Sequence, residues 1–353
     1  MLHATTEQST MLYETDTKMF APLCDSTLMP MVGIGGELVP AGSELLARGA
    51  AANVWLVNAP NVDKRKCVRK VIRVSLDQIK ATRNPMRSPT AEQIWGGFVD
   101  TLKSKVNQWE PLAHENLVRV LGVSQKLDIY TEYLSGGTAS QYLAKHPNDS
   151  VPLRKRMIGD VLAGLNYLHS QQPPVIHGSI RMDKLFVDSH GTTKIGEFGL
   201  ACLVTKFAHS APGVSQYKPI LIRWSSPELL GLKRKPRSTA SDIWAAGCTL
   251  FEIISGKLPY FEHDHTLQVY HRVFTNEMPG GSEDLLGPDF AQAWELVTSC
   301  WERIPEQRPS AHDLWEQHSL TSVSPRPPMV WSTEQPTRTS LHTSCLHYNN
   351  IGV

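Results

Sequence analysis

The residues of this chain that could do chemistry together are concentrated between positions 175 and 199, in the stretch VIHGSIRMDKLFVDSHGTTKIGEFG. The carboxylates of Asp183 and Glu197 could accept a proton or bind a cation, and Lys184 would attract phosphate. Ser179 is neutral and cannot serve as a carboxylate base. These residue types and their spacing indicate phosphoryl chemistry, although a lysine and a neutral serine stand among the carboxylates.

The composition is that of a soluble globular protein. The 353 residues are 41% hydrophobic and 20% charged, enough to bury a core in one large domain or two lobes. A net charge of +1 gives no argument for nucleic acid or a membrane surface. The six scattered cysteines and the absence of a signal-peptide pattern predict an intracellular, cytoplasmic protein.

The pattern of apolar residues predicts four parts. Residues 1–41 show no periodicity and are interpreted as an N-terminal extension. Between 42 and 133, short apolar runs separated by polar turns predict antiparallel strands, with a helix over 91–109. Helical patterns dominate 134–320, and the Ser-, Thr- and Pro-rich residues 321–353 are expected to be disordered.

Two helices of the second half have clear signatures. An apolar stripe predicts one amphipathic face, formed by Leu153, Met157, Val161, Leu165 and Leu168. The stretch SDIWAAGCTLFEIISG is apolar nearly all round and predicts a buried helix, with Ser241 or Asp242 as the N-cap and Gly256 at its end.

Several motifs, in order, make the chain resemble a protein kinase over about 42–320. KCVRKVI resembles the third-strand V-A-I-K motif with Lys70 in the lysine place, while VIHGSI and EFG stand for V-x-H-R-D-L and D-F-G. HENLVRVLGV resembles the segment after helix C and DIYTEYLSGG the hinge, and the later motifs are matched by IRWSSPELL, SDIWAAG and CWERIPEQRPS. The residues of the last motifs favour the tyrosine-kinase-like group. The resemblance implies an α+β bilobal protein-kinase fold. Its small antiparallel β-rich N-lobe (42–133) would carry helix C, and the hinge and large α-helical C-lobe would span 134–320.

The resemblance assigns structural roles to one set of residues. Glu228 and Arg308 resemble the buried ion pair of the family, and Asp242 resembles the carboxylate that accepts backbone N–H groups of the catalytic loop. The positions of the family's regulatory spine are held by His177, Phe198, Trp109 and Val120. These roles hold the fold and say nothing about turnover.

The positions that do chemistry in the family are altered. The catalytic Asp, the metal-binding Asn and the D-F-G Asp are replaced by Ser179, Lys184 and Glu197. A lysine cannot bind a cation, so no metal site is expected. Asp183, next to the lost Asn, is the candidate for a relocated catalytic carboxylate.

Helix C and the glycine loop also depart from the family pattern. Lys105 stands where the family has the glutamate that pairs with the strand lysine, and only Gly49 survives of three loop glycines. We expect Lys70, Lys105 and Glu197 to converge, with Glu197 acting as a counter-ion.

The adenine pocket implied by the resemblance is narrowed. Val54 keeps its place, but Val68 and Phe186 replace a smaller alanine and leucine, and overpacking typically costs about 1–3 kcal/mol. We therefore expect millimolar or no ATP affinity. The remaining residues of the pocket would be Lys70, the gatekeeper Thr131, and the hinge residues Glu132 and Leu134.

We interpret the sequence as a pseudokinase, inactive in phosphotransfer and without a cofactor, that acts as a scaffold or allosteric partner in signalling. Its partners would be proteins that contact helix C, the activation segment or the C-lobe. No nucleic acid or membrane partner is expected, and the oligomeric state is left open. Two alternatives are a weakly active Ser/Thr protein kinase with relocated catalytic residues that uses ATP, and a metal-free nucleotide or anion sensor.

Overall fold

A five-stranded antiparallel sheet forms the N-lobe of the protein. The computed structural model describes residues 43–49, 52–58, 66–73, 75–82, 89–124, 126–197, 203, 222–231, 235–275, 277–281 and 287–321. The strands are β1 (Glu44–Arg48), β2 (Ala52–Asn58), β3 (Lys66–Ile72), β4 (Val120–Val123) and β5 (Ile129–Glu132), in the order β1-β2-β3-β5-β4. In β3, Cys67 is buried from one face and Lys70 from the other, as the two-residue period of a strand requires.

Two helices accompany this sheet. They are α1 (Leu76–Thr82) and α2 (Ala91–Trp109), and α2 has the bounds expected from the sequence. A capping box between Thr90 and Gln93 begins α2, and its buried stripe consists of Phe98, Leu102, Val106 and Trp109. The helix therefore packs one apolar face into the core and leaves the opposite face polar.

The C-lobe is helical and carries a small second sheet. The three-stranded sheet consists of β6 (Gly137–Thr138), β7 (Leu185–Val187) and β8 (Thr193–Ile195), in that order. Backbone hydrogen bonds join it to the segment before β4, from Ile195 N–H to Asn116 and from Val118 N–H to Ile195. The C-lobe helices are α3 (Ala139–Lys145), α4 (Ser150–Ser170), α5 (Pro227–Leu230), α6 (Thr239–Ser255), α7 (Thr266–Phe274), α8 (Ala293–Ser299) and α9 (Ala311–Thr321). The α+β fold with a β-sheet N-lobe and a helical C-lobe is confirmed.

The buried helix α6 is the centre of the C-lobe core. Every residue from Ser241 to Ile254 is buried, and Gly256 ends the helix in the left-handed conformation at φ +70°. The predicted N-cap is wrong: Ser238 is the N-cap, and Ser241 is its capping-box partner three residues on. Two serines in S-x-x-S spacing both fit a cap, and the reciprocal hydrogen bonds place the start at the first one.

Some expectations lie outside the described residues. Phe198, the expected spine residue, and the segments 1–41 and 322–353 belong to this group. Among the helices that the structure describes, none is long and apolar enough to cross a membrane.

Candidate functional site

The catalytic loop, residues 174–181, is anchored from below by α6. The carboxylate of Asp242 accepts the backbone N–H groups of His177 at 2.8 Å and Gly178 at 2.7 Å, and it also lies 3.2 Å from His169 Nε2. Asp242 is 1% exposed, so it depends on these donors for solvation. The contacts fix the loop backbone on a rigid helix.

His177 is a buried neutral residue that joins the catalytic loop to the turn before Glu197. Its Nδ1 accepts the N–H of Ser179 at 3.2 Å, which leaves the proton on Nε2, 3.0 Å from the carbonyl of Gly196. Burial lowers the pKa of His177, although the nearby Asp242 opposes this effect. His177 therefore has a structural role, in which its ring joins two backbone segments, and it does not act as a base.

A chain of alternating charges runs from the N-lobe to the catalytic loop. Lys70 Nζ donates to Glu197 Oε1 at 3.1 Å, and Lys184 Nζ contacts Glu197 Oε2. Lys184 also lies 3.5 Å from Asp183 Oδ2, which accepts a hydrogen bond of 2.7 Å from Arg181. These five residues are the charge cluster of the site.

Glu197 is the ionised centre of the charge cluster. Burial opposes its ionisation, but the ammonium groups of Lys184 and Lys70 outweigh burial and hold the pKa of Glu197 well below its usual range. Burial also disfavours the charge of Lys184, yet the carboxylates of Asp183 and Glu197 raise the pKa of this lysine. Glu197 takes a left-handed backbone conformation at φ +62°, unusual for a residue with a side chain.

The charge cluster does not fit a magnesium ion. Both oxygens of Glu197 are bonded to ammonium groups, and the position next to Asp183 holds Lys184, which has donors and no acceptor. A divalent cation would have to displace at least one lysine. Glu197 is therefore placed as a counter-ion.

Lys105 does not join the charge cluster. Its Nζ lies 5.9 Å from the centroid of the Trp109 ring, one turn further along α2, and the residue is half-buried. Within the described part of the chain it has no ion pair with Glu197. Lys70 and Glu197 contact each other as expected, and the third residue of this contact is Lys184 instead of Lys105. Lys105 instead places its charge over an aromatic face.

Phe186 lies in the cleft, beneath the strand lysine. The ammonium of Lys70 is 5.8 Å from the Phe186 ring centroid, and the ring edge packs so closely on Gly196 that a Cβ there would lie 3.1 Å from it. In the roof of the cleft, Val54 pairs with Lys70 and Val68 pairs with the buried gatekeeper Thr131. Val68 lies two residues from Lys70 on β3, so its side chain is on the same face of the strand as the ammonium that lies over Phe186.

The hinge is held by an ion pair across the back of the cleft. The side chain of Glu132 accepts from Lys194 Nζ at 3.0 and 3.3 Å and from the backbone N–H of Arg119 at 2.8 Å. Leu134 accepts the N–H of Gly137 at 3.2 Å, which turns the chain into β6. Gly49 in the glycine loop forms a tight turn with Ala52 at 2.9 Å, and positions 50 and 51 lie outside the described residues.

The ion pair of Glu228 and Arg308 lies deeper in the C-lobe. Arg308 donates two hydrogen bonds to the two oxygens of Glu228, at 2.7 and 2.9 Å, and a third to the carbonyl of Ala240 at 2.9 Å. Its guanidinium also lies 5.1 Å from the Trp244 ring. The pair fastens α5 to the start of α6.

Sequence reasoning missed three residues around the catalytic loop. Arg181 is 8% exposed and lies over the Trp224 ring at 5.4 Å. Burial, and next the nearby carboxylate of Asp183, raise the pKa of Glu252 to about 8, so Glu252 keeps its proton at neutral pH. Arg237 donates to the Gly178 carbonyl at 2.9 Å. Arg181 belongs to the stretch between positions 175 and 199, but only tertiary structure brings Glu252 and Arg237 to it.

Replacing Glu197 with glutamine is expected to lower stability without any ligand, because Lys70 and Lys184 would lose their shared counter-ion. The folded pKa of Glu197 lies below the usual value of 4.5, so its contribution is present above that pH and is lost as the pH falls towards the folded pKa. Wild type should therefore lose stability more steeply than the variant between about pH 5 and pH 3. Denaturant midpoints measure this, with the exposed Glu306→Gln as control. Equal midpoints for wild type and Glu197→Gln at neutral pH would contradict the counter-ion role.

Comparison with known proteins gives consistent matches. The family described as protein tyrosine and serine/threonine kinase matches residues 98–318. Similar curated proteins include the Serine/threonine-protein kinase BCK1/SLK1/SSP31 of Saccharomyces cerevisiae, 30% identical over 70% of this chain. Two others are the Mitogen-activated protein kinase kinase kinase YODA of Arabidopsis thaliana, 28% identical over 71% of the chain, and the MAP kinase kinase kinase mkh1 of Schizosaccharomyces pombe, 26% identical over 77%. The matched part spans 16%, 27% and 23% of the lengths of these relatives.

Proposed function

This chain belongs to the protein tyrosine and serine/threonine kinase family, and we propose that it is a weakly active Ser/Thr protein kinase with relocated catalytic residues. The phosphoryl donor in this proposal is ATP. The finer assignment to the tyrosine-kinase-like group stays a prediction, supported by the CW-x-x-x-P-x-x-R-P wording near Arg308.

The interpretation of the sequence as a catalytically impaired pseudokinase scaffold is wrong. It is contradicted by the relatives, which are named as serine/threonine-protein kinases and as mitogen-activated protein kinase kinase kinases. Two carboxylates and three cations are present in the charge cluster, and Asp183 lies next to the position of the lost Asn.

The position of Asp183 is the observation that carries the proposal. Its side chain is 38% exposed, and Oδ2 is held between Arg181 at 2.7 Å and Lys184 at 3.5 Å. Asp183 is therefore fixed at the end of the anchored catalytic loop, and its other oxygen, Oδ1, is buried without a hydrogen-bond partner among the residues that the structure describes. A positioned carboxylate of this kind can accept the proton of a hydroxyl nucleophile.

Lys70 and Lys184 supply the positive charge that phosphoryl transfer requires. Both ammonium groups are fixed by Glu197, and they bound the cleft beneath β3. Fixed cations stabilise charge on the transferring phosphoryl group without reorganising during the reaction. In this proposal the two lysines, instead of a magnesium ion, stabilise the charge of the transferring phosphoryl group.

The proposed reaction step is a single displacement. The hydroxyl oxygen of a protein Ser or Thr attacks the γ-phosphorus of ATP, and the bond from that phosphorus to the oxygen bridging it to the β-phosphate breaks. The hydroxyl proton passes to the carboxylate of Asp183, and ADP leaves. Arg181 occupies Oδ2 of Asp183 with a hydrogen bond of 2.7 Å, so in this proposal the proton passes to Oδ1.

The proposed substrate is another protein kinase. The relatives from Arabidopsis thaliana and Schizosaccharomyces pombe are named as kinases of a mitogen-activated protein kinase kinase, which supports that protein as the substrate class. Protein partners follow from this role, and we propose helix C, the activation segment and the C-lobe as their contact faces.

Phosphotransfer from labelled ATP to such a protein tests the function. Asp183→Asn is expected to lower the rate about 10²-fold, the low end of the range for a general base, because an amide cannot accept the hydroxyl proton. Asp149→Asn, the same change at the exposed residue just before α4, should leave the rate unchanged. Labelling that persists equally in both variants, or that is absent from wild type with and without magnesium, would overturn the proposal.

A further inference from the structure

A small cavity lies between the catalytic loop and the N-terminal end of α6. Its volume of about 30 Å³ exceeds the roughly 10–15 Å³ that a single water needs, and it is open on one side. The cavity lies on the α6 side of the catalytic loop, and Arg181 belongs both to its lining and to the charge cluster. Its polar lining comes chiefly from Gly178, Ser179, Arg181, Trp224, Ser225 and Arg237.

Two buried donors of the cavity lining lack a partner within the described part of the chain. Ser179 and Arg181 are each 8% exposed, and neither Ser179 Oγ nor Arg181 Nε has a hydrogen-bond partner among the residues that the structure describes. Leaving a buried donor unsatisfied typically costs about 1–3 kcal/mol. Two such groups on one cavity indicate that a ligand with acceptor atoms completes it.

The charge of the cavity lining is positive. Arg237 reaches across its mouth, with Nε bonded to the Gly178 carbonyl and its Cδ only 2.8 Å from where a Cβ of residue 178 would lie. The glycine therefore makes room for the arginine. Asp242 also lines the cavity, but its two oxygens already accept the N–H groups of His177 and Gly178.

The N-terminal end of α6 adds to the positive electrostatic potential in the cavity. Ser241 and Asp242 of its first turn line the cavity, and α6 is 17 residues long. The N-terminal end of a helix of this length carries a partial positive charge. The groups around the cavity that a ligand could engage are therefore donors and cations.

We propose that this cavity binds a phosphoryl group, either as free phosphate or on a phosphorylated side chain. Tetrahedral oxygens would accept from Arg237 and Arg181 and from the hydroxyl of Ser179, in charge-assisted hydrogen bonds. This binding is separate from phosphotransfer and does not depend on turnover.

Titration calorimetry with inorganic phosphate tests the site on the full chain. Arg237→Gln should weaken phosphate binding at least about tenfold, because it removes a guanidinium that binds phosphate through paired donors. Lys235→Gln is the matched control, since Lys235 is an exposed cation two residues away that does not line the cavity. Equal affinities in the two variants would overturn the proposal.

Two further variants distinguish this cavity from the cleft as the place where phosphate binds. Lys184→Gln removes a cation of the charge cluster, so a loss of phosphate binding in this variant that Arg237→Gln does not share would place the anion in the cleft and overturn the proposal. Ser179→Ala deletes the unpartnered hydroxyl and should weaken binding several-fold even if Arg237→Gln fails to fold.

The source of the phosphoryl group is distinguished by a second ligand. A phosphoserine peptide that binds at least tenfold more tightly than inorganic phosphate, with the same dependence on Arg237, identifies a phosphorylated protein. Equal affinities for both ligands identify the free anion. Absence of binding by both ligands at millimolar concentration contradicts the site.

Discussion

Replacing Glu228 with glutamine is expected to lower the free energy of unfolding by about 3–5 kcal/mol. Glu228 receives two hydrogen bonds from Arg308, whose side chain is 0% exposed. Glutamine keeps the shape of the side chain but not its charge. The guanidinium would then remain buried beside Trp244 and the start of α6 without a counter-ion. Urea unfolding followed by fluorescence measures the change.

The matched control breaks an ion pair at the surface. Glu92 lies 3.0 Å from Lys80, and both side chains are at least half exposed. Glu92→Gln should leave the urea midpoint unchanged, because exposed pairs contribute little. A Glu228→Gln midpoint that matched this control would show that burial of the pair contributes nothing.

Ser179→Asp combined with Lys184→Asn is expected to raise the phosphotransfer rate by about 10²–10⁴-fold and to make it depend on magnesium. The backbone of residue 179 is already positioned, because its N–H is bonded to His177 and Asp242 anchors the two preceding residues. A carboxylate there would be a well-placed base. Removing Lys184 frees one oxygen of Glu197 and supplies an amide oxygen as a second metal ligand.

The control for the double variant is Ser179→Asn with Lys184→Asn. It has the same shape and frees Glu197 equally, but it adds no carboxylate at position 179 and leaves Asp183 as the base. Initial rates with labelled ATP, at several magnesium concentrations, compare the two. If both double variants transfer phosphate at the same rate, position 179 does not determine turnover.

Helices whose ends and periodicity depend only on neighbouring residues were predicted well from local patterns. The helix over 91–109 and the buried stripe of α4 match the structure, because their caps and periods are properties of neighbouring residues. The N-cap of α6 was misplaced by three residues, since Ser238 and Ser241 are equally suitable until their reciprocal bonds are seen. Boundaries depend on such short-range competition.

The candidate site was predictable only in part. The resemblance led to Lys70, Lys184 and Glu197, but neither their ion pairs nor the position of Lys105 over Trp109 follows from spacing. The cavity depends on Arg237, which lies 59 residues from its partner Gly178. Contacts of this range are products of tertiary packing.

The ion pair of Glu132 and Lys194 has a mechanical consequence. Glu132 belongs to the five-stranded sheet and Lys194 to the three-stranded sheet, so the pair links the two lobes at the back of the cleft. The adjacent backbone bonds of Ile195 reinforce the same edge. Rotation about this edge preserves these short contacts, whereas sliding or separation of the lobes breaks them. These contacts therefore favour one relative motion of the lobes, a rotation about the back of the cleft. In this rotation the residues at the opposite rim of the cleft move furthest.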